Sequence, residues 1–419
     1  MTTVEVFVDR AGELVLVGQA HVTRARGQVS TTFLYDPGYL SGDGTSIDPT
    51  LPLVMGAQHQ AGLVSAFADS APDRWGRNLI EKAERVRARD EGRAPRRLDD
   101  LDFLLGVSDD TRQGALRYRL TGSAAFLGKP ATVPRLVSLP ELLRASDEVD
   151  SDEDSSRAVK QLLDTGTTGL GGARPKASVR LEDGSLAIGK FPHGSDQWDV
   201  MAWEATALDL LEAAGIRVPL RRLARVGERS VLILRRFDRT GDGHRVGYIS
   251  AMTALSAADG EHRDYAELAE AMRDLSWSPR ADHHELFDRV VASVAFGNTD
   301  DHLRNHGFLA DRGSWTLSPV FDVNPNPDPQ RARSTSIMGA DAPPDEAEAL
   351  LALAEECGLS PAHARERMTR VAGAVSGWRD AARRNGIREQ EITMMADSIE
   401  VRLGALVGAA RGVNVASTM

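Results

Sequence analysis

HELFDRVVASVAFGNTDDHLRNHGFLADRGSWTLSPVFDV, residues 284–323, begins as an apolar run at helical spacing, crosses a loop crowded with acceptors, and resumes as strand, turn and strand. The expected elements are a buried helix, a loop over 296–305, a strand from about His306 to Leu309, a turn at DRGS, and a strand running into Phe321, Asp322 and Val323. Within the loop stand Asp300, Asp301, His302 and two asparagines. Carboxylate and amide oxygens are hard donors suited to Mg2+, and a loop carboxylate can accept a hydroxyl proton. Asp300 precedes Asn305 by five positions and Asp322 follows the hairpin, so three oxygen donors arrive in sequence. Adjacency alone does not separate Asp300 from Asp301 as a base, although the interval to Asn305 favours Asp300. His302 has two readings: it holds the loop by hydrogen bonds, or it ligates a transition metal with Asp300 or Asp301. No second histidine or cysteine stands at a recognisable ligand spacing to support the latter.

Upstream, TGTTGLGGARPKASVRLEDGSLAIGKFP places Gly166, Gly169, Gly171 and Gly172 before a hairpin turned at EDGS. Glycines permit positive φ and close backbone approach, so successive N–H groups can converge on a phosphate, though an ordinary flexible turn fits the glycines equally well. The spacing is not that of a P-loop, because no glycine sits five residues before a second glycine followed by Lys and Ser or Thr, and it is not a dinucleotide fingerprint, because a strand rather than a helix should follow. Lys190 shares a strand face with Leu186 and Ile188, which points it toward an apolar environment where it needs a counter-charge. Glu204 falls within the apolar stripe Val200, Trp203, Ala207, Leu211 and Ala214 of the next helix, where a carboxylate must be paired. A glycine loop, a strand lysine and a helix glutamate form the arrangement with which protein kinases hold ATP phosphates; Asp300 to Asn305 matches the base-to-metal interval of their catalytic loop, and Asp322 the place of their second metal aspartate. A snorkelling Lys190 and a rim-facing Glu204 are the alternative. The hairpin RRLARVGERSVLILRRFDR, ending at Arg236 and Phe237, then takes the place of a connector whose backbone meets adenine.

The remaining chain sets the frame. At 419 residues it exceeds the size at which a single core stops growing, so two or three domains are expected. A net charge of −11 and 42% hydrophobic residues argue against a free-standing nucleic-acid binder and against disorder. One cysteine, and neither a signal peptide nor a membrane-length apolar run, point to a reducing cytoplasm. Residues 1–125 read as a compact α+β unit: VEVFVD and LVLVGQA make a hairpin, TTFLYD follows, and APDRWGRNLIEKAERVRARD is a helix. Residues 126–160, with scattered prolines and SDEVDSDEDSS, read as a solvated linker and lead-in. A β-rich lobe over 161–236 and a helical lobe over 237–412 follow, the latter with Ser360-Pro361 as a helix start and Gly386 as a stop, leaving 413–419 as a tail. The basic cluster RARDEGRAPRR is either a solvated loop or a phosphate contact.

GGARPKA, AIGKFP, RRFDR, GNTDDHLRNHGF and LSPVFDV, in this order, resemble HipA-type serine/threonine kinases, the toxins of bacterial toxin–antitoxin pairs. VFVDRAGELVLVGQA and APDRWGRNLIEKA resemble the small domain preceding the kinase core in that family. The resemblance covers nearly the whole chain and implies an α+β, kinase-like bilobal fold behind an N-terminal α+β domain. It implies ATP and Mg2+ as cofactors, with Lys190 on the phosphates, Asp300 as base, and Asn305 and Asp322 on the metal. It further implies Gly171, Gly172, Ala173, Lys176, Glu204, Arg236, Phe237 and His302 around the nucleotide. A HipB-like helix-turn-helix antitoxin that carries the pair to operator DNA is implied too, with an aminoacyl-tRNA synthetase or another protein as substrate, and growth arrest or persistence as outcome. One departure stands out: Gly171 occupies the place of the serine that family members phosphorylate to silence themselves, and Thr165, Thr167, Thr168 and Ser178 do not fit it. Two other functions compete, a catalytically weak co-repressor beside a DNA-binding protein and a small-molecule kinase.

Overall fold

The computed structural model describes residues 1–25, 28–42, 44–128, 131–151, 156–169 and 172–412. Contacts divide the chain into two units, Met1–Asp196 with Ala224–Ile249, and Gln197–Leu223 with Ser250–Met419.

Unit 1 opens with the antiparallel strands β1 (Thr2–Arg10), β2 (Glu13–Ala25), β3 (Gln28–Tyr35) and β4 (Gln58–Gln60), joined by β5 (Leu116–Leu120) in the order β4-β3-β2-β1-β5. Alternation places Val4, Val6, Ala20, Val22, Phe33 and Tyr35 in the interior. The short helices α1 (Pro37–Ser41) and α2 (Ser65–Asp69), the longer α3 (Arg74–Asp90), and α4 (Asp100–Gly106) complete this part. A fully buried arginine ties it together: Arg112 donates from Nη1 to Ser70 O (2.9 Å) and from Nη2 to Leu104 O (2.9 Å) and Val107 O (3.1 Å), over the Tyr118 ring. These carbonyls lie at the ends of α2 and α4, where helices leave acceptors unmet.

The expected linker is instead structure. α5 (Leu139–Asp150) and α6 (Ser156–Asp164) bury Leu139, Leu142, Leu143, Val149, Ala158, Val159 and Leu162 against Trp75 and Leu79 of α3. Leu139, Leu142, Leu143, Ser146 and Val149 follow helical spacing. The charge of the acidic run hid that row, and residues 152–155 of the run lie outside the described residues. The same core covers one face of a sheet ordered β6-β7-β9-β8, formed by β6 (Lys176–Arg180), β7 (Leu186–Lys190), β8 (Arg221–Val226) and β9 (Arg229–Arg235). Ala177, Val179, Ala187, Phe191, Val231 and Ile233 face it. By alternation Lys190 lies on the other face with the half-buried Leu186 and Ile188, so its environment is less apolar than its sequence neighbours suggest.

Unit 2 is helical. α7 (Val200–Ala213) is buried nearly all round, and its Trp203 meets Phe296 and Trp378. β10 (Tyr248–Ser250) straddles the division; α8 (Ala251–Ala254), β11 (Arg263–Asp264), α9 (Tyr265–Leu275) and α10 (Pro279–Phe296) follow. β12 (Gly307–Asp311) and β13 (Ser314–Leu317) form the expected hairpin, and β14 (Thr335–Ser336) pairs in parallel with β11. The second strand stops at Leu317 and does not reach Asp322: Pro319 removes a ladder donor, and Asp322 itself has φ +60°. α11 (Asp345–Glu356), α12 (Pro361–Val375), α13 (Trp378–Arg384) and α14 (Glu389–Arg411) close the unit, with Ser360 capping α12 as expected. Among the described residues no helix is long and apolar enough to cross a membrane.

Candidate active site

α10 is buried almost all round and ends where Gly297 takes φ +69°, a left-handed stop that turns the chain into the acceptor-rich loop. Two adjacent aspartates then diverge. Asp300 is exposed; its carbonyl accepts from Asn305 Nδ2 (3.0 Å), and its Oδ1 lies 3.5 Å from Ser334 Oγ. Asp301 is buried, accepting from the Tyr265 hydroxyl, from Ser293 Oγ (2.8 Å) and from His306 Nε2 (3.0 Å), while its carbonyl accepts from Thr335 Oγ (2.7 Å). Burial alone would raise the Asp301 carboxyl. The charge of His306 and hydrogen bonds from His306 and Tyr265 outweigh it and hold the group far below the usual carboxylate range. Asp301 is therefore committed to the interior, while the Asp300 carboxylate is exposed.

Asp322 sits in irregular chain after the hairpin, its left-handed backbone held by a bond from its N–H to Glu204 Oε1 (3.1 Å). Aspartate tolerates this region better than most residues, yet the conformation still needs such support. Glu204 is fully buried on α7, as its place in the apolar stripe predicts. Beyond Asp322 the chain runs along the loop: Asn324 N donates to Asn298 Oδ1 (3.4 Å) and Asn326 N to Gly297 O (3.0 Å).

His302 does not hold the loop through its ring. Among the described residues its imidazole takes no hydrogen bond, and its Nδ1 is buried without a partner; its carbonyl accepts from Asn305 N (2.8 Å). Asn298 Nδ2, Thr299 Oγ1 and Asn324 Oδ1 are orphaned in the same way. Buried polar atoms are rarely left unmet, so this grouping in two touching loops suits a polar ligand. Asn305 and Asp322 carry one amide and one carboxylate oxygen, donors of the hard kind that Mg2+ takes alongside waters and phosphate oxygens.

In unit 1, Gly172 has φ +96° and donates to Asp73 Oδ2 (2.5 Å). Lys176 and Lys190 lie directly opposite each other in the β6/β7 register, both buried, and the Lys176 carbonyl accepts from Trp75 Nε1 (3.1 Å). Like charges placed opposite each other in a ladder repel, so each ammonium is most stable beside an acceptor or counter-charge. A Cβ on Gly172 would fall 2.4 Å from Lys176 Nζ. Gly172→Ala is accordingly expected to cost about 1–2 kcal/mol of left-handed strain, to displace the Lys176 ammonium, and to weaken binding of a fluorescent ATP analogue. Equal nucleotide affinity in the two proteins would remove Lys176 from the site. Ala173 lies between these residues, and Gly171 lies outside the described residues.

The connector differs from expectation. Arg236 is buried; its amide donates to Leu186 O (3.0 Å), and its guanidinium binds Asp238 and the carbonyls of Thr111 and Arg112. The side chain is thus a clamp within unit 1. Phe237 is half-buried beside the Tyr248 ring. Sequence reasoning missed both this clamp and the Tyr265–Asp301–His306 cluster. The signals were present as an acid two residues after one arginine and directly before another in RRFDR, and as a second aspartate within the loop and a second histidine directly after it.

Residues 168–378 match the family model described as the HipA-like C-terminal domain, and residues 15–119 that of the HipA N-terminal domain. The chain belongs to the HipA family. Its fold is similar to that of Shewanella oneidensis MR-1 HipA, solved with HipB and its operator DNA, with a TM-score of 0.68 over 98% of this chain and 100% of that one at 15% identity. The Helicobacter pylori proinflammatory kinase CtkA aligns with 58% of this chain and 93% of its own, at 16% identity and a TM-score of 0.42. No curated protein matches the sequence. The HipA fold accounts for the architecture: a HipA-like N-terminal domain followed in the chain by a HipA-like C-terminal domain, as the motifs implied.

Proposed function

We propose that the chain is an ATP- and Mg2+-dependent protein serine/threonine kinase, the toxin of a toxin–antitoxin pair. It acts in the cytoplasm on an aminoacyl-tRNA synthetase or another translation protein, and causes growth arrest or persistence. The observation that carries this reading is the divergence of Asp300 and Asp301: one is exposed, with its main-chain carbonyl held by Asn305, and the carboxylate of the other is locked inside. Asp300 accepts the proton of the acceptor hydroxyl. Lys190 and Lys176 meet phosphate oxygens, and the Gly172 turn leaves room for the ammonium of Lys176. Glu204 keeps Asp322 in its left-handed conformation, so that its carboxylate and the Asn305 amide are preset as ligands. When bound, Mg2+ supplies the positive charge that offsets the triphosphate. Ala173, Phe237 and His302 are the further nucleotide contacts this scheme assigns, and Arg236 holds the segment that carries Phe237.

The partner we assign is a HipB-like helix-turn-helix antitoxin, which carries the pair to operator DNA; the Shewanella HipA was solved in such an assembly. Incubating the purified chain with γ-labelled ATP and a cell lysate tests the enzyme class. Labelled protein bands are the expected result. Labelled metabolites alone would make it a small-molecule kinase, and no label at all, with operator repression intact beside the antitoxin, would make it a co-repressor.

A further inference from the structure

A cavity of about 480 Å³ lies within unit 1, at the turn end of the β6/β7 hairpin, and its size is that of a small-molecule site. Arg180 and Leu186, paired in register beside the turn, line it. The Lys176–Lys190 pair stands four residues along both strands, about 13 Å away at the usual rise of a strand. The opposite wall is the end of β9 and the turn that follows, from Arg235 to Arg245. That turn is well tied: Thr240 N donates to His244 O (2.9 Å) and Gly243 N to Thr240 O (3.0 Å). The His244 ring rests on Gly12 between β1 and β2, where a Cβ would fall 2.8 Å from its Cε1.

Positive charge in this wall exceeds what its partners meet. Arg112, Arg117, Arg236, Arg239 and Arg245 gather around two carboxylates, Asp109 and Asp238. Asp238 is taken by Arg236 and Arg239, and Asp109 by Arg117, whose Nη2 and Nε donate to it at 2.5 and 3.0 Å. Arg245 is left with one nitrogen engaged: Nη2 donates to Asp109 O (2.5 Å) and lies 3.3 Å from Oδ2. Its side chain is only 9% exposed, and Nη1 is buried with no partner among the described residues. Burial holds Arg239 and Arg245 below the usual arginine range, and the charge of Arg236 lowers both further. Buried cations and unmet buried donors are costly, so an anion is stabilising here. The acids that line the cavity bond elsewhere. Asp9, Asp110 and Asp183 accept from the amides of Gly12 (2.9 Å), Ala131 (3.0 Å) and Ser185 (2.9 Å). Their remaining lone pairs suit hydroxyl donors, which a bare polyanion lacks and a phosphorylated sugar carries.

We propose that this cavity binds a phosphate-bearing metabolite, with its phosphate on Arg245 between Arg180 and Arg235 and its hydroxyls on Asp9 and Asp110. The site lies apart from Lys176 and Lys190 and does not rest on the kinase reading. Guanidiniums meet phosphate oxygens through paired N–H donors, which makes arginine the fitting residue for this role.

The test titrates the full chain with ribose 5-phosphate and with inorganic phosphate by calorimetry, for wild type, Arg245→Gln, Arg180→Glu and Lys190→Ala. Wild type should bind ribose 5-phosphate more tightly than inorganic phosphate, and its Tm should rise with the sugar phosphate. Arg245→Gln should weaken that binding by about tenfold or more, the effect of losing a hydrogen bond to a charged group. Arg180 is exposed, so Arg180→Glu should weaken it while thermal unfolding without ligand stays as in wild type. This keeps the test decisive should Arg245→Gln fail to fold. Lys190→Ala should bind ribose 5-phosphate as wild type does, and Arg180→Glu should bind a fluorescent ATP analogue as wild type does. Absence of binding, binding indifferent to Arg180→Glu, or binding lost in Lys190→Ala would overturn the proposal. Inorganic phosphate bound as tightly as ribose 5-phosphate would overturn the assignment of a metabolite. None of these results bears on phosphate transfer to lysate proteins, which reports the kinase reading separately.

Discussion

Asp300→Asn should lower phosphate transfer to protein substrates by roughly 10³-fold, the middle of the range for removing a general base, while leaving the fold intact. The two halves of this expectation rest on different observations. Asp300 is exposed, and the loop is held through its main-chain carbonyl, which asparagine keeps. Exposed substitutions of this kind fall within about 0.5 kcal/mol, so thermal unfolding should be nearly unchanged. Chemistry should not be: an amide cannot accept the hydroxyl proton, and about 4 kcal/mol of barrier corresponds to a thousandfold loss. Steady-state transfer should show the loss in kcat with the KM for ATP little altered, since Lys176 and Lys190 are untouched. In cells, growth arrest should disappear with transfer. An Asp300→Asn protein that transfers phosphate normally would move the base elsewhere, and the buried bonds of Asp301 make that neighbour a poor substitute.

How much of this was legible in the sequence depends on which physical signal carried each element. Glu204 was legible because a carboxylate on an apolar helical stripe has few ways to survive burial, and it is fully buried with its oxygen on the Asp322 amide. The hairpin after His306 was legible from alternation and from DRGS, whose Arg312 and Gly313 both take positive φ. The choice between Asp300 and Asp301 was not, because adjacent residues in irregular chain have no fixed phase; only partners on α9, on α10 and just before β12 decide which one turns inward. α5 and α6 were hidden by composition: the acidic residues that suggest solvent stand on the outer faces of helices whose inner faces are leucine and valine. Lys190 was assigned the right strand but too dry an environment, since which face of a sheet meets the core depends on what packs there.

The largest loss of stability should come from Asp238, where the sequence suggested only a connector. Asp238 is buried and accepts from Arg236 Nε (2.8 Å), Arg236 Nη2 (2.5 Å), Arg239 Nη1 (2.8 Å) and Gly114 N (2.8 Å). The two guanidiniums in turn hold the carbonyls of Thr111 and Arg112, and Thr111 Oγ donates to Gly166 O (2.6 Å) at the start of the glycine loop. One carboxylate thus fixes the end of β9, the chain leading into β5, and the glycine loop. Asp238→Asn leaves two buried cations without a counter-charge, and removing one partner of a buried pair costs about 3–5 kcal/mol. Urea unfolding should register that loss, and nucleotide binding should weaken with it because Gly166 loses its anchor. The pH dependence distinguishes a charge effect from a shape effect. Burial raises the Asp238 carboxyl, but the charges of Arg236 and Arg239 outweigh it and hold the group far below the usual range. A depressed folded-state pKa contributes stability that is present above the unfolded value, about 3.9, and is lost as pH falls through the folded one. The gap between wild type and Asp238→Asn should therefore be widest near neutrality and close as the wild type is acidified below about pH 4. A gap that stays constant into acid would mean that the carboxylate's charge is not what holds Arg236 and Arg239, and that shape alone secures the clamp.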